Sequence, residues 1–199
     1  MLTFLQNIDA QLLDMLRSTI VPFAWTHPII IFFSDLEPIV FGLFLLWLWL
    51  FGVYHKDSGP KQVALDLFWH VIAAFLIYAI INQLLPMRPR PETIGSLVPL
   101  VSHLPDNSFP SGHALFWGAS WWALYALFGN KKTLWSFFVL GGLTCFARIL
   151  AGIHYPGDII VGFLLGWGLM VLFTSLPHGN KYRNLAHTFP LKIASYFKL

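Results

Sequence analysis

Charged side chains are scarce in this chain of 199 residues. Asp, Glu, Lys and Arg make up 11% of it, whereas hydrophobic residues make up 57%. Since a soluble domain carries about 25% charged residues, the composition excludes an ordinary soluble globule, and it equally excludes a disordered or fibrous chain. Cys145 is the single cysteine, which excludes a disulfide framework and a thiolate metal site. The composition is that of a polytopic membrane protein with short loops, which we expect to form one domain over residues 1–199.

Long apolar runs account for most of the chain. A helix needs about 20 apolar residues to cross the hydrocarbon core of a bilayer. Five runs reach or approach that length: 38–54, 67–85, 111–128, 133 to about 152, and 156–176. A sixth run, 21–33, is short and is interrupted by Pro22 and Pro28. The sequence therefore predicts an all-α membrane bundle of five to six transmembrane helices.

The two ends of the chain differ from these runs. Apolar residues between Leu5 and Ile20 recur at helical spacing, opposite a polar face that includes Asp9 and Asp14. This pattern over residues 1–20 is typical of an amphipathic helix in the membrane interface, and the two acids argue against a cleaved signal peptide. Residues 177–199 form a basic tail with interspersed apolar side chains, which we expect to rest on anionic lipid.

The distribution of lysine predicts the orientation in the membrane. With five spans, Arg183 and all seven lysines fall on one side: Lys56, Lys61, Lys131, Lys132, Lys181, Lys192 and Lys198. The positive-inside rule places that side, with the C-terminus, in the cytoplasm. The loops at 86–110 and 153–155 then face outward. The N-terminus changes side if the run 21–33 spans the bilayer.

Three arginines on the outward side lie close to the predicted spans: Arg88, Arg90 and Arg148. A charge at such depth marks either a functional site or a side chain that snorkels from a helix end. Two helices begin on the same side, near Ser111-Gly112 and near residue 156, and a helix N-terminus attracts anions. Because the planar arginine fork binds two phosphate oxygens at once, these features predict an oxyanion site.

Two histidines near these arginines, His113 and His154, can exchange protons close to neutral pH. Asp158 follows His154 by four residues, so its carboxylate can hold one ring nitrogen and leave the other free to attack. Each part alone has a simpler explanation, since Pro-Ser-Gly-His can be a helix cap and a lone histidine can be interfacial. Together, the residues indicate a nucleophile with its orienting carboxylate.

These residues resemble the three motifs of the type 2 phosphatidic acid phosphatase superfamily. The family pattern is Lys-x6-Arg-Pro, then Pro-Ser-Gly-His, then Ser-Arg-x5-His-x3-Asp. The chain contains, in the same order, Gln83-x6-Arg90-Pro91, Pro110-Ser111-Gly112-His113 and Ala147-Arg148-x5-His154-x3-Asp158. Gln83 and Ala147 replace the family lysine and serine, and either change can weaken phosphate binding or alter the substrate.

The resemblance implies a lipid phosphatase that needs no metal and no cofactor. It implies that His154 forms a phosphohistidine, that Asp158 orients it, and that His113 is the general acid. The implied phosphate ligands are Arg90, Arg148, Ser111 and Gly112, with Gln83 in the place of the lysine and Arg88 as a substitute cation. Metal phosphatases use clustered carboxylates, and within the motifs Asp158 is the single carboxylate.

Within the superfamily, the chain looks most like bacterial undecaprenyl diphosphate phosphatases. This likeness implies a bacterial cytoplasmic membrane, a site that faces the periplasm or exterior, and a lipid phosphate partner used in cell-envelope and peptidoglycan synthesis. Phosphatidylglycerophosphate, phosphatidic acid and lipid A phosphates are alternative substrates. No nucleic-acid partner is expected, and the sequence does not indicate an oligomeric state.

Two other classes of function remain open at this point. One is an intramembrane serine hydrolase with Ser111 as nucleophile and His154 as base, which leaves Arg90 and Arg148 without a role. The other is a membrane protein that binds or transports anions without chemistry.

Overall fold

The computed structural model describes residues 2–93, 97–102 and 106–175, with side chains from residue 6 onward. Over these residues the chain forms seven α-helices, one short 3-10 helix at Pro91–Thr93, and no strand. The α-helices are α1 (Leu2–Ile20), α2 (Thr26–Ser34), α3 (Leu36–Tyr54), α4 (Ser58–Leu84), α5 (Gly112–Leu127), α6 (Lys131–Ala151) and α7 (Pro156–Ser175). The predicted all-α class is confirmed. The predicted basic tail at 177–199 lies outside the described residues.

Among the described helices, four are long and apolar enough to cross a membrane: α3, α4, α6 and α7. The predicted run 111–128 became α5, which has 16 residues. The run 21–33 became α2, which has nine residues and a length of about 14 Å. A full crossing takes about 20 residues, so α2 is too short to be a span on its own. Four candidate spans are found among the described residues, and the predicted count of five to six stays a prediction.

The predicted N-terminal amphipathic helix is present as α1. Its apolar face is represented by Leu13, which is buried in a cluster with Ile149 and Ile159. Its polar face is tied to the ends of later helices. Arg17 donates hydrogen bonds to the carbonyl of Leu150 and, at 2.9 Å, to that of Val98. α1 therefore lies across the end of the bundle where α6 ends and α7 begins.

The outer surface of the bundle is apolar, as a bilayer requires. Leu43, Trp135 and Leu164 lie on three of the candidate spans, and each is more than half exposed. The interior contains aliphatic and aromatic side chains, and the Phe41 ring meets the Phe116 ring edge-on, with centroids 5.1 Å apart. Because contiguous apolar surface of this kind is not tolerated in water, these exposed side chains fit a lipid environment.

α5 and α7 pack with their backbones in close contact because glycines line the interface. A Cβ atom on Gly166 would overlap the carbonyl oxygen of Leu115, and one on Gly118 would overlap that of Phe163. Small residues permit this approach in membrane bundles. The contact brings the first turns of the two helices together, so that the Ser111 amide donates to the Asp158 carbonyl at 3.1 Å.

The described lysines and the motif residues lie at opposite ends of the bundle. Lys56 and Lys61 lie where α3 ends and α4 begins, and α6 begins at Lys131. The other end contains the residues that follow α4, the beginnings of α5 and α7, and the C-terminus of α6, which is capped by Gly152 at φ 84°. A left-handed C-cap favours glycine. The chain thus places its motifs at one end of the bundle.

Candidate active site

The segments that contain the three motifs meet at this end of the bundle. The segment after α4 is joined to the turn before α5, because the Arg88 amide donates to the Asn107 side chain at 2.9 Å and the Ser108 amide donates to the Arg88 carbonyl at 3.0 Å. The same residues before α5 are also in contact with the α6–α7 loop. The break between α2 and α3, at Asp35, forms the remaining wall.

His154 is buried in the α6–α7 loop, with 2% of its surface exposed. Its Nδ1 lies 3.0 Å from the Ser108 carbonyl, and its Nε2 lies 3.3 Å from Nη1 of Arg90. A carbonyl only accepts and a guanidinium only donates. Nδ1 therefore bears the proton, and Nε2 presents a lone pair toward the arginine.

The charge state of His154 follows from its surroundings. Burial lowers the pKa of His154 to about 4, and the positive charges of Arg148 and Arg90 act in the same direction against the opposing effect of Asp158. A neutral ring keeps its lone pair, which a nucleophile requires. At pH 7 the side chain is thus a neutral imidazole with Nε2 available.

Asp158 lies at the start of α7 and is fully buried. Its Oδ2 accepts from the Ser108 hydroxyl at 2.5 Å and from the Tyr155 amide at 2.9 Å. The same oxygen lies 3.7 Å from Nδ1 of His154. The predicted direct contact with the ring is thus longer than a hydrogen bond, because Ser108 intervenes: its hydroxyl binds the carboxylate, and its carbonyl accepts from the ring.

His113 lies on the first turn of α5, next to Arg148. Its Nε2 is 3.4 Å from Nη1 of Arg148 and 3.1 Å from Oδ1 of Asp35. The His113 side chain is 27% exposed, whereas Arg148 is 2% exposed. His113 is thus reachable from outside the bundle, while the arginine beside it is held within.

Arg90 and Arg148 are buried cations, and each lies next to one of the two histidines. Nη1 of Arg90 donates to the Ile153 carbonyl at 2.7 Å, and its Nε donates to Asp106 at 2.8 Å. Nη1 of Arg148 donates to the Ser34 carbonyl at 3.2 Å. These bonds fix the guanidinium planes, and a planar guanidinium is suited to bind phosphate oxygens.

Arg88 is placed differently from the predicted phosphate ligand. Its Nη1 donates to Asp158 at 2.6 Å and its Nη2 to Asp9 of α1 at 2.7 Å. Its guanidinium also stacks 4.0 Å above the Tyr155 ring. These contacts point the cation at the carboxylates behind His154.

Gln83, the predicted replacement for the family lysine, lies one residue before the end of α4 and is exposed. The hydrogen bonds described for the site do not include it. Its neighbour Asn82 instead donates to the hydroxyl of Tyr78 at 3.3 Å, and that hydroxyl donates to the Pro110 carbonyl at 3.1 Å. Tyr78 thus links α4 to the turn before α5 by a hydrogen bond.

Ser111 and Gly112 form the beginning of α5, as predicted. The Ser111 side chain is fully buried and accepts from the Ala114 amide at 3.5 Å, which makes it the helix cap. A Cβ atom on Gly112 would lie 3.5 Å from the Tyr78 ring. His154 lies against the Ser108 carbonyl and Arg90, whereas the Ser111 hydroxyl serves as the helix cap, which does not favour Ser111 as a nucleophile.

Three residues of the site were not identified from the sequence: Asp35, Ser108 and Asp9. Asp35 could have been suspected because an acid between the apolar stretches 28–33 and 38–54 is costly. Ser108 could not have been identified, since nothing in its sequence neighbours indicates a link to His154. Over residues 2–93, 97–102 and 106–175, no group of three His, Cys, Asp or Glu side chains is arranged to hold a metal ion.

Comparison with known proteins gives relatives for this chain. The family model of the PAP2 superfamily, the type 2 phosphatidic acid phosphatases named above, matches residues 63–182. The chain is 32% identical over 143 residues to undecaprenyl-diphosphatase BcrC of Bacillus subtilis, which covers 70% of each protein.

Two solved structures share the fold. The crystal structure of Aquifex aeolicus LpxE is similar with a TM-score of 0.59 and 22% identity, over 82% of this chain and 92% of that one. The crystal structure of a transmembrane PAP2 type phosphatidylglycerolphosphate phosphatase from Bacillus subtilis is similar with a TM-score of 0.60 and 19% identity, over 84% of this chain and 83% of that one. The family match includes all three motifs, and the apolar helices agree with a membrane enzyme. The chain therefore belongs to the PAP2 superfamily and is a membrane lipid phosphatase of that family.

Proposed function

We propose that this phosphatase removes a phosphate from undecaprenyl diphosphate through a phosphohistidine formed on Nε2 of His154. The observation that carries the proposal is the state of that ring. Nδ1 is held by the Ser108 carbonyl, while Nε2 points at a buried arginine and is unprotonated at neutral pH. A nucleophile needs this tautomer and this charge state.

In the first step, Nε2 of His154 attacks phosphorus, and the bond from phosphorus to the leaving oxygen breaks. That oxygen belongs to undecaprenyl phosphate, the lipid product, and His113 donates a proton to it, so that less negative charge develops on the leaving group. The attacking ring gains positive charge as the new bond forms. The Ser108 carbonyl and, behind it, the Asp158 carboxylate stabilise that charge.

In the second step, a water molecule attacks the phosphohistidine. His113, which is neutral after the first step, takes a proton from the water, and the bond between Nε2 and phosphorus breaks. Inorganic phosphate leaves, His154 regains its lone pair, and His113 is again protonated. Both steps place negative charge on the equatorial oxygens of phosphorus, which Arg90 and Arg148 stabilise by position and charge.

The substrate assignment rests on location and on relatives. The site lies at one end of apolar helices, so that a polyprenyl chain can stay in the bilayer while its diphosphate reaches the arginines. The relative BcrC from Bacillus subtilis is named as an undecaprenyl-diphosphatase. Lysines at the opposite end support an outward-facing site by the positive-inside rule.

A substrate panel tests this proposal. Purified protein in EDTA is given undecaprenyl diphosphate, phosphatidylglycerophosphate, phosphatidic acid and lipid A phosphates in turn, and released phosphate is measured. We expect the highest kcat/KM with undecaprenyl diphosphate, and we expect His154→Gln and His113→Gln to lose about 100-fold or more. A better substrate among the other three would replace the lipid assignment. Unchanged turnover in His154→Gln would remove the mechanism.

A further inference from the structure

Asp35 is a charged residue of the site that no motif contains. It lies where α2 ends and α3 begins, and its side chain is 57% exposed at the mouth of the site. Its Oδ1 accepts from Nη1 of Arg148 at 2.7 Å and lies 3.1 Å from Nε2 of His113. One carboxylate oxygen thus bridges the general acid and a phosphate-binding arginine.

The proposed mechanism gives His113 an electrostatic difficulty. As the general acid it must bear a proton on Nε2 before the leaving oxygen departs. Yet Nη1 of Arg148 lies 3.4 Å from that nitrogen, and a neighbouring positive charge disfavours an imidazolium. A negative charge in contact with both groups removes the difficulty, because it can accept hydrogen bonds from both donors at once.

We propose that Asp35 is a positioning residue that keeps His113 protonated beside Arg148 and aims both donors into the phosphate site. This inference rests on the proposed function, in which His113 supplies the proton for the leaving oxygen. The break between α2 and α3 is needed for this role, since a continuous helix would not turn this carboxylate toward α5 and α6.

The contacts with His113 and Arg148 also keep the Asp35 carboxyl group ionised. The hydrogen bond from His113 lowers the pKa of Asp35, and the charge of Arg148 lowers it further, against partial burial that raises it. Asp35 is therefore a carboxylate at neutral pH. Its large exposure allows it to swing outward when a phosphate oxygen takes its place between the two donors.

The elements packed around α5 contribute further charged or titratable groups. They are Tyr78 of α4, Glu37 of α3, Arg90 of the segment after α4, and His154 and Asp158 at the α6–α7 boundary. Oδ1 of Asp35 lies 3.1 Å from Nε2 of His113. Because Coulomb energy falls with distance, we expect the charge of Asp35 to act strongly on His113.

Asp106 supplies a matched control. It is also an exposed carboxylate that pairs with a buried arginine of the site, since Oδ1 lies 2.7 Å from Nη2 of Arg90. Its described partner is the arginine beside His154, whereas Asp35 contacts the arginine beside His113. Asp106→Asn thus removes the same charge at the same kind of position without removing the contact to His113.

The experiment compares the wild type with Asp35→Asn, Asp35→Glu and Asp106→Asn, all as full-length protein in detergent. The ring signals of His113 are titrated by NMR without substrate, and the pH profile of kcat/KM is measured with undecaprenyl diphosphate. We expect Asp35→Asn to move the His113 titration and the alkaline limb of kcat/KM to lower pH by about one unit. We expect kcat/KM near neutral pH to fall by up to about ten-fold, because kcat/KM reports the protonation state of the free enzyme.

The variants separate this role from a structural one. Asp35→Glu keeps the charge and should restore the alkaline limb, whereas Asp106→Asn should leave the His113 titration at its wild-type position. Identical His113 titrations in the wild type and Asp35→Asn would overturn the role of Asp35 even if the enzyme is fully active. An inactive wild type would instead remove the proposed function. If Asp35→Asn does not fold, Asp35→Ser is titrated in its place and is judged by the same outcomes.

Discussion

At the scale of single residues, the site depends on how each buried charge is balanced. Burial, together with the charges of Arg90 and Arg148, disfavours a proton on His154, and both arginines are held by carbonyls and carboxylates. Asp158 accepts hydrogen bonds from three different donors. In the proposed mechanism, the residues of the site thus divide into those that contact phosphate and those that hold the contacting groups in place.

This division predicts that replacing Arg88 and replacing Arg148 change different kinetic constants. Arg88 bonds to Asp158 and Asp9, so Arg88→Gln should lower kcat about ten-fold with little change in the inhibition constant for inorganic phosphate. Arg148 is a phosphate ligand in the proposed mechanism and lies next to His113, so Arg148→Gln should weaken inorganic phosphate inhibition about ten-fold or more. Steady-state kinetics with phosphate as inhibitor measures both. A loss of phosphate affinity in Arg88→Gln would return that residue to the role of a direct ligand.

The neutral state of His154 makes folding stability depend on pH. Burial lowers its pKa to about 4 in the folded protein, whereas an unfolded histidine titrates near pH 6.5. Between these values the unfolded chain binds a proton that the folded chain does not. Stability is therefore full above about pH 6.5 and is lost as the pH falls toward 4, by at most about 3 kcal/mol.

Thermal unfolding in detergent at pH 7 and pH 5 measures this contribution. His154→Gln should lose less stability than the wild type over that interval, because it no longer contains the titrating ring. His55→Gln removes an exposed histidine and should follow the wild type. If the wild type and His154→Gln lose stability in parallel, the buried ring is not neutral.

At the scale of helices, the contact between α5 and α7 sets the distance between the second and third motifs. Gly166 faces the carbonyl of Leu115 across that contact, whereas Gly168 on the same helix has no atom within 4 Å of the position of a Cβ. Gly166→Ala should therefore push the helices apart and cost about 1–3 kcal/mol. Gly168→Ala should be neutral or slightly stabilising.

The thermal midpoint and the phosphatase rate of these two variants are measured together. In Gly166→Ala both should fall, since the Ser111–Asp158 contact between the first turns would lengthen. Equal midpoints in the two glycine variants would show that the α5–α7 contact is not limited by backbone approach.

The helices themselves could largely be predicted, because apolar runs and caps such as Asn130 and Gly152 mark their ends. The break at Asp35 is marked as well, because the apolar runs 21–33 and 38–54 stop on either side of it and Pro38 lies in the first turn of α3. The contacts of Asp35 with Arg148 and His113 could not be predicted, since they join residues far apart in the sequence. The pairing of Arg88 with Asp9 could not be predicted either. It depends on α1 folding back across the bundle, and sequence spacing carries no information about that contact.

At the scale of the whole molecule, the described lysines lie at one end of an apolar bundle and the charged motif residues lie at the other. Motif spacing alone predicted which histidines and arginines would converge, because each motif adjoins the end of an apolar run. Spacing did not predict which partner each side chain would choose. Ser108 stands between Asp158 and His154, and this arrangement follows from how the loops fold over one another.

The orientation can be tested with two introduced cysteines, since Cys145 is buried. Val98 is exposed on the side of the site, and Lys131 is exposed at the opposite end. We expect Val98→Cys to react with a membrane-impermeant maleimide in intact cells or spheroplasts. Lys131→Cys should react only after lysis. The reverse pattern would place the site in the cytoplasm.

The covalent state of His154 during turnover is the measurement on which the mechanism stands. The enzyme is mixed with lipid diphosphate, quenched in alkali within one turnover, and the peptide that contains residue 154 is analysed by mass spectrometry. We expect one phosphate on Nε2 of His154, and none in His154→Gln. Rapid phosphate release with no phosphorylated peptide in the wild type, or phosphate on another residue, would contradict the proposed nucleophile.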